Sequence, residues 1–194
     1  MPFPEDVAEG VRSGDPDAVG RVYVALADRL LGYLMARVPD RATAEDLLEM
    51  TFLELLLRGS TIRGGPAAMK VWLFRAAHYN ALDHLRKVKR RAEDLYEDAQ
   101  AIEVADHGLG PEDCAVAGDV SRRVRALMDE LSDEQRQVLL LRYVGGLTAP
   151  ETGRVLGKTD GAVRSLQHRG ERALARLLEH ESGRAAPSLA DEAS

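Results

Sequence analysis

The sequence predicts an all-α protein made of two small helical domains that are joined by an acidic flexible linker. Apolar residues recur at helical spacing over most of the chain, and no sustained period-two alternation indicates a sheet. The stretch 92–119 carries nine Asp or Glu, no Lys or Arg, and the helix breakers Gly108, Gly110 and Pro111. Such a composition is typical of a tether, and its start is compatible with a short continuation of helix. The predicted divisions are a first domain at 1–91, a linker at 92–119, a second domain at 120–180 and a disordered tail at 181–194.

The bulk composition excludes several classes of protein. The 194 residues have an apolar fraction of 45% and a charged fraction of 30%, which is typical of a globular domain. No apolar run approaches the length of a membrane span, and the acidic start MPFPEDVAEG is unlike a signal peptide. The single cysteine, Cys114, excludes an internal disulfide, and no Cys/His spacing resembles a zinc site. We therefore expect a cytoplasmic protein without membrane insertion, metal or cofactor.

Three helices are predicted in the first domain. The first follows a Pro-containing turn and has an apolar pattern at 19–38. The second covers 43–57, with Thr43 as its N-cap. A glycine-rich loop at 58–68 leads into a long third helix that extends from about residue 67 to residue 91.

The third helix separates an apolar stripe from a polar, cationic face when it is projected at 100° per residue. The stripe contains Phe74, Ala77, Ala81, Leu85 and Val88. Cations on the other face can neutralise phosphates, and amide or imidazole groups can hydrogen-bond to bases. A solvated helix whose cations merely suit the C-terminal dipole is the alternative. The polar face carries Asn80, Asp83, His84, Lys87, Arg90 and Arg91.

The stretch 147–178 predicts a helix-turn-helix. A short helix ending at Leu156 precedes a turn at Gly157 and a second helix that Thr159 or Asp160 caps. Small residues at the start of the second helix allow close approach to base edges in the major groove. Two helices that only pack against each other are the alternative. The outward and flanking residues of the second helix are Gly161, Arg164, Ser165, His168, Arg169, Arg172 and Arg176.

Three stretches resemble the extracytoplasmic-function (ECF) sigma factors, the small two-domain sigma subunits of bacterial RNA polymerase. They are AEDLLEMTFLELL at 44–56, WLFRAAHYNALDHLRKVKRR at 72–91, and the segment 131–174 that contains the helix-turn-helix. The resemblance covers roughly residues 8–180 in the family's order and spacing. It implies a promoter-specificity subunit that catalyses no bond change.

The resemblance also implies roles for each stretch. The basic helix, with Trp72 at its start, resembles the −10 recognition and melting helix, and the loop 58–70 lies where the family captures an unstacked base. The helix-turn-helix resembles the −35 reader. The implied partners are promoter DNA, core RNA polymerase through its largest-subunit clamp helices and the flap of its second-largest subunit, and an anti-sigma factor. The residues implied to bind core polymerase are Asp46, Leu47, Glu49, Met50, Phe52 and Leu53.

The sequence departs from the family pattern at two places, and one alternative function is considered. Glu49-Met50 replaces the usual Gln-Glu or Gln-Asp pair, and Pro150 and Gly153 replace a Glu and an Ala of the first helix. A conventional helix-turn-helix regulator that binds DNA without core polymerase is the alternative, but it leaves the basic helix and the acidic linker without a purpose. No phosphate-cradling loop, nucleophile with a base, or paired-carboxylate site indicates an enzyme.

Overall fold

The computed structural model describes residues 3–98 and 126–184, with side chains described for 3–93 and 126–180. Every regular element in this part of the chain is helical, which confirms the predicted fold class. Residues 126–129 are helical, and the remaining helices are α1 (Glu5–Ser13), α2 (Pro16–Met35), α3 (Arg41–Arg58), α4 (Pro66–Asp98), α5 (Asp133–Leu139), α6 (Ala149–Leu156) and α7 (Asp160–Arg184).

Two helices of the first domain, α2 and α3, start at a residue whose side chain caps the helix. The Asp15 carboxylate accepts a hydrogen bond from the Asp17 N–H at 2.9 Å, and α2 begins there. At α3 the cap is Asp40, whose carboxylate accepts from both the N–H and the hydroxyl of Thr43 at 2.8 Å. The backbone N–H of Thr43 also holds the pKa of Asp40 below its usual value. The predicted Thr43 cap is therefore wrong, because an aspartate three residues earlier supplies the acceptor.

The helices differ in extent from the prediction at three places. Helix α1 was not predicted. Helix α4 continues to Asp98, seven residues beyond Arg91, so the start of the predicted linker is helical, and α7 continues to Arg184 rather than ending before 181. The rest of the predicted linker and tail, including Cys114, lies outside the described residues.

The apolar core of the first domain surrounds α2, which packs against α1, α3 and α4. The ring of Tyr33 meets that of Phe74 edge-on, with centroids 6.1 Å apart, and both side chains are fully buried. Of the predicted α4 stripe, Phe74, Ala77 and Ala81 are buried, but Val88 is 50% exposed. Val88 was therefore misassigned to the core, because α4 extends past the helices that cover its first half.

The second domain carries one π-helical turn, Leu140–Val144, between α5 and the helix-turn-helix. The Gly145 N–H donates to the Leu140 carbonyl at 3.0 Å, which closes this wider turn. Below it, Val138 of α5 and Val163 and Leu166 of α7 form a small buried cluster. This packing fixes α7 against α5 and so orients its outward face.

The apolar core continues from the first domain into the second. Leu140, Leu141, Leu147 and Val155 belong to the same buried cluster as the core residues of α2 and α4. The two domains therefore pack directly on each other, an arrangement that the sequence did not predict.

Candidate nucleic-acid interface

The helix-turn-helix has the geometry that its sequence predicts. Thr148 caps α6 in a capping box with Glu151: each backbone N–H donates to the other's side chain, at 2.7 Å and 3.3 Å. Gly157 ends the helix in the left-handed conformation, with φ 66°. The Thr159 hydroxyl then accepts from the Ala162 N–H at 3.3 Å, which caps α7.

Gly153 is required by this tight turn. A Cβ at this position would lie 2.5 Å from the carbonyl oxygen of Lys158, which is backbone and cannot move aside. The Lys158 N–H in turn donates to the Gly153 carbonyl at 2.9 Å. Glycine is thus the residue that lets the chain fold back after α6, and its cost of about 1 kcal/mol in a helix is offset by that turn.

The seven residues predicted to face DNA from α7 all lie on its exposed surface. Arg164 forms an ion pair within α7, since its guanidinium lies 3.7 Å from the Asp160 carboxylate one turn earlier. Arg169 donates from Nε to the Ser165 carbonyl at 3.4 Å. Arg172 and Arg176 make no hydrogen bond or ion pair to the described part of the chain. They are therefore the cations most available to an external anion.

Three of these arginines line a cleft between α5 and α7. Its volume is about 240 Å³, and it is lined by Arg169, Arg172, Arg176 and Gln135. Gln135 was not predicted as a functional residue, because only the packing of α5 on α7 brings it there. An amide and three guanidinium groups around one cleft suit a phosphate group.

The opposite flank of α7 carries a negative charge. The hydroxyl of Tyr143 and the amide of Gln167 both donate to the Glu171 carboxylate, the latter at 2.8 Å. These hydrogen bonds, that of Tyr143 first, hold the pKa of Glu171 below its usual value. The α7 surface is therefore polarised, with the cationic cleft on the α5 side and an ionised carboxylate on the other.

The predicted −10 residues of α4 fall into two groups. Asn80 is half-buried and donates from Nδ2 to the Thr51 hydroxyl at 3.3 Å, so its amide is used within the fold. Trp72 and His84 are also half-buried, and Trp72 packs against the core. Asp83 pairs with Arg86 at 3.2 Å. The predicted cations Lys87, Arg90 and Arg91 are all exposed, toward the end of this helix.

Helix α4 also carries an exposed aromatic residue, Tyr79, that is not among the predicted site residues. Tyr79 is 44% exposed, and the Arg75 guanidinium lies 5.7 Å from its ring centroid. The His78 ring meets the same ring edge-on at 5.4 Å. In the sequence, this aromatic residue directly precedes Asn80, but only Asn80 was predicted to be a functional residue.

The α3 surface differs from the predicted core-binding set. Leu47 and Phe52 are buried at 4% and 6% exposure, so their assignment to a docking surface is corrected. Tyr23 covers Phe52, with ring centroids 4.8 Å apart. From the predicted set, Asp46, Glu49, Met50 and Leu53 are exposed on α3, and the apolar side chains of Leu56 and Leu57 are exposed as well.

Neither a metal centre nor a membrane span is found among the described residues. Among the side chains described, those of residues 3–93 and 126–180, no group of three or more His, Cys, Asp or Glu is placed to hold a metal ion. None of the helices there is both long and apolar enough to cross a membrane.

Two family descriptions match the chain in the order of its domains. "Sigma-70 region 2" matches residues 22–92, and "Sigma-70, region 4" matches residues 121–174. The chain is 30% identical over 153 residues to the ECF RNA polymerase sigma factor SigX of Bacillus subtilis (strain 168), covering 77% of this chain and 78% of SigX. The chain belongs to the ECF RNA polymerase sigma factor family.

A second relative of this ECF sigma factor is longer. The chain is 32% identical over 173 residues to the ECF RNA polymerase sigma factor BldN of Streptomyces coelicolor (strain ATCC BAA-471 / A3(2) / M145). The match covers 89% of this chain but spans only 65% of the length of BldN.

The fold of this ECF sigma factor is that of a solved sigma factor. The sigma factor RpoE from Bartonella quintana, in co-crystals with the anti-sigma factor NepR, superposes with a TM-score of 0.65 at 19% identity. The superposition covers 82% of this chain and 96% of RpoE. Region 2 therefore comprises most of α2 together with α3 and α4, and region 4 contains the helix-turn-helix.

Proposed function

We propose that this ECF sigma factor directs core RNA polymerase to promoters, with region 4 on the −35 element and region 2 at the −10 element. The observation that carries the proposal is the presence, in one chain, of an exposed cationic reading helix in region 4 and a second exposed basic helix in region 2. A conventional regulator needs only the first of these. The protein acts by binding in the cytoplasm and catalyses no bond change.

The −35 surface divides into base-reading and phosphate-binding parts. Gly161, Ser165 and His168 lie on the exposed face of the first turns of α7, the part that enters the major groove in a helix-turn-helix. Arg172 and Arg176 lie beyond them and line the cleft with Gln135. We assign the first group to base edges and the second to the DNA backbone.

Replacement of Arg172 by alanine is expected to weaken −35-dependent initiation at all promoter sequences about equally. A lost phosphate contact removes about one unit from the slope of log affinity against log salt concentration, whereas a lost base contact costs about 1–3 kcal/mol at one position only. The measurement is run-off transcription with core polymerase over a salt series on single-substitution −35 variants.

Arg21→Ala is the matched control for this prediction. Arg21 is an exposed arginine of α2 that pairs with Asp6 at 3.3 Å and belongs to neither of the proposed DNA surfaces. It should leave both the slope and the promoter preference unchanged. A change of preference at one −35 base pair in Arg172→Ala would contradict the assignment to phosphate.

The −10 surface combines the Tyr79 ring with the exposed cations of α4. The guanidinium of Arg75 holds one side of the ring, and the ring remains 44% exposed. Aromatic rings beside a cationic track stack unpaired bases without strong sequence preference. We assign Tyr79 to stacking on a base of the melted strand, and Lys87, Arg90 and Arg91 to its phosphates.

Tyr79→Ala is expected to reduce open-complex formation by about 1–3 kcal/mol, since one stacked base is lost. Tyr79→Phe keeps the ring and should retain most of the activity. Permanganate reactivity of the −10 thymines in the assembled enzyme measures the effect. Equal reactivity of the alanine variant and the wild type would remove Tyr79 from the interface.

The exposed face of α3 is the proposed docking surface for the clamp helices of the largest polymerase subunit. Met50, Leu53 and Leu57 are 44%, 54% and 73% exposed, respectively, beside the carboxylates of Asp46 and Glu49. Apolar side chains rimmed by charges are typical of a protein interface. Further proposed partners are the flap of the second-largest subunit and an anti-sigma factor, as in the RpoE complex with NepR.

A further inference from the structure

A buried ion pair joins region 2 to region 4. Lys70, in the first turns of α4, lies 2.9 Å from the Glu151 carboxylate of α6, and each side chain is only 10% exposed. The same ammonium donates to the Gly146 carbonyl at 3.4 Å. The Glu151 oxygen that receives Lys70 also accepts from the Thr148 N–H at 2.7 Å. One carboxylate therefore caps the helix-turn-helix and anchors it to the −10 helix.

Close apolar packing surrounds this ion pair. A Cβ at Gly145 would lie 2.9 Å from Cε1 of Phe74, and one at Gly32 would lie 3.1 Å from Cγ1 of Val144. The backbone of 145–146 and the π-helical turn thus rest directly on α2 and α4. Separation of the regions would expose these apolar surfaces and would leave two charges without their partners.

This closed arrangement conflicts with simultaneous reading of two promoter elements. Elements centred near −35 and −10 are separated by about 25 base pairs, or on the order of 85 Å along B-DNA at about 3.4 Å per pair. Regions in van der Waals contact cannot span that distance. The contact between α4 and α6 must therefore open before both elements are bound.

We propose that the contact between α4 and the helix-turn-helix is an autoinhibitory latch, closed in the free protein and opened on assembly with core polymerase, with Lys70 and Glu151 as its fastening pair. This inference rests on the proposed function, since two separated DNA elements are what make the closed form inactive. A buried ion pair suits a latch for two reasons. It specifies one arrangement of the two helices, and it adds little net stability to the closed form, so that a competing partner can displace it.

A reversible crosslink tests the latch. Cysteines at positions 32 and 144, as Gly32→Cys and Val144→Cys in a Cys114→Ser background, lie within the reach of a disulfide in the closed form. The oxidised protein should lose run-off transcription with core polymerase, and dithiothreitol should restore it. The two single-cysteine variants, treated with the same oxidant, should stay active. Crosslinking should also fail once the enzyme has been assembled.

Three outcomes would overturn the proposal: an oxidised, crosslinked protein that transcribes as well as the reduced one, a pair of cysteines that does not crosslink in the free protein, or crosslinking that proceeds equally in the assembled enzyme. Failure of the proposed function gives a different result, since the reduced and wild-type proteins would then also give no core-dependent transcript.

The role of the ion pair is tested by the rate of crosslinking. Lys70→Met removes the ammonium and keeps an apolar side chain of similar length, so the free protein should open more often and crosslink several-fold more slowly. Lys89→Met makes the same change at a lysine that is 79% exposed on α4, and should crosslink at the parent rate. Equal rates in both variants would remove Lys70 from the latch.

Discussion

Replacement of Phe74 by alanine is expected to cost about 3–5 kcal/mol of unfolding free energy, because a fully buried ring leaves a cavity that the surrounding helices cannot close. The ring contacts Tyr33 of α2 edge-on and approaches the Gly145 backbone of region 4. The loss should therefore weaken both regions at once. Urea unfolding followed by circular dichroism and by Trp72 fluorescence should show both midpoints moving together to lower concentrations.

Val88→Ala provides the matched control for this prediction. Val88 lies four helical turns further along the same helix and is half exposed, so its truncation should change the unfolding free energy by less than about 0.5 kcal/mol. A loss below about 1 kcal/mol for Phe74→Ala would contradict the shared core. Two separated transitions in the wild type would contradict it as well.

A buried histidine is expected to make the stability of the protein fall between neutral and acidic pH. His78 is 7% exposed, and its Nδ1 shares a 2.8 Å hydrogen bond with the Tyr33 hydroxyl. Burial, and then the nearby Arg37 cation, lower the pKa of His78 from 6.5 to about 4. Burial raises the pKa of Tyr33 to about 12, so the pair is neutral at pH 7.

The sign of the effect follows from proton binding. The unfolded chain takes up a proton at His78 near pH 6.5, whereas the folded protein does so only near pH 4. The contribution of His78 to the free energy of unfolding is therefore complete above about pH 6.5 and is lost as pH falls through about 4. The total change is about 3 kcal/mol, because each pH unit between the two pKa values is worth about 1.4 kcal/mol.

His78→Gln is the comparison that isolates this effect, because its amide can bond to Tyr33 and does not titrate. Urea unfolding of both proteins from pH 7.5 to pH 4 gives two stability curves, and the carboxylates that they share cancel in the difference. The wild type should lose about 3 kcal/mol more than the variant over this interval. Parallel curves would mean that His78 is protonated as easily in the folded protein as in the unfolded one.

The helical architecture could be predicted from the sequence because its signals are local. The left-handed Gly157 after α6 and the Thr159 cap of α7 each depend on residues within one turn, and the structure has both. The prediction of the α3 cap was wrong for a local reason too, because two candidate acceptors, Asp40 and Thr43, lie within four residues of each other. The charged surface of α7 was also predictable, because helical periodicity alone separates its faces.

The remaining features of the candidate sites depend on tertiary contacts, which the helical periodicity of the sequence does not predict. Gln135 joins the arginine cleft only through the packing of α5 on α7. Asn80 and Tyr79 are neighbours in sequence, but a rotation of 100° turns the first toward Thr51 and the second to solvent. Lys70 and Glu151 are 81 positions apart, and no local pattern distinguishes them from other surface charges.

Run-off transcription with purified core polymerase on a library of genomic promoters tests whether this chain is a promoter-specificity subunit. We expect discrete transcripts that require both the protein and core enzyme, with starts downstream of a shared −35 and −10 pair. We also expect weak DNA binding by the protein alone, because its net charge is −6. Tight, core-independent binding to specific DNA without any new transcript would contradict the role as a promoter-specificity subunit and would favour a conventional helix-turn-helix regulator.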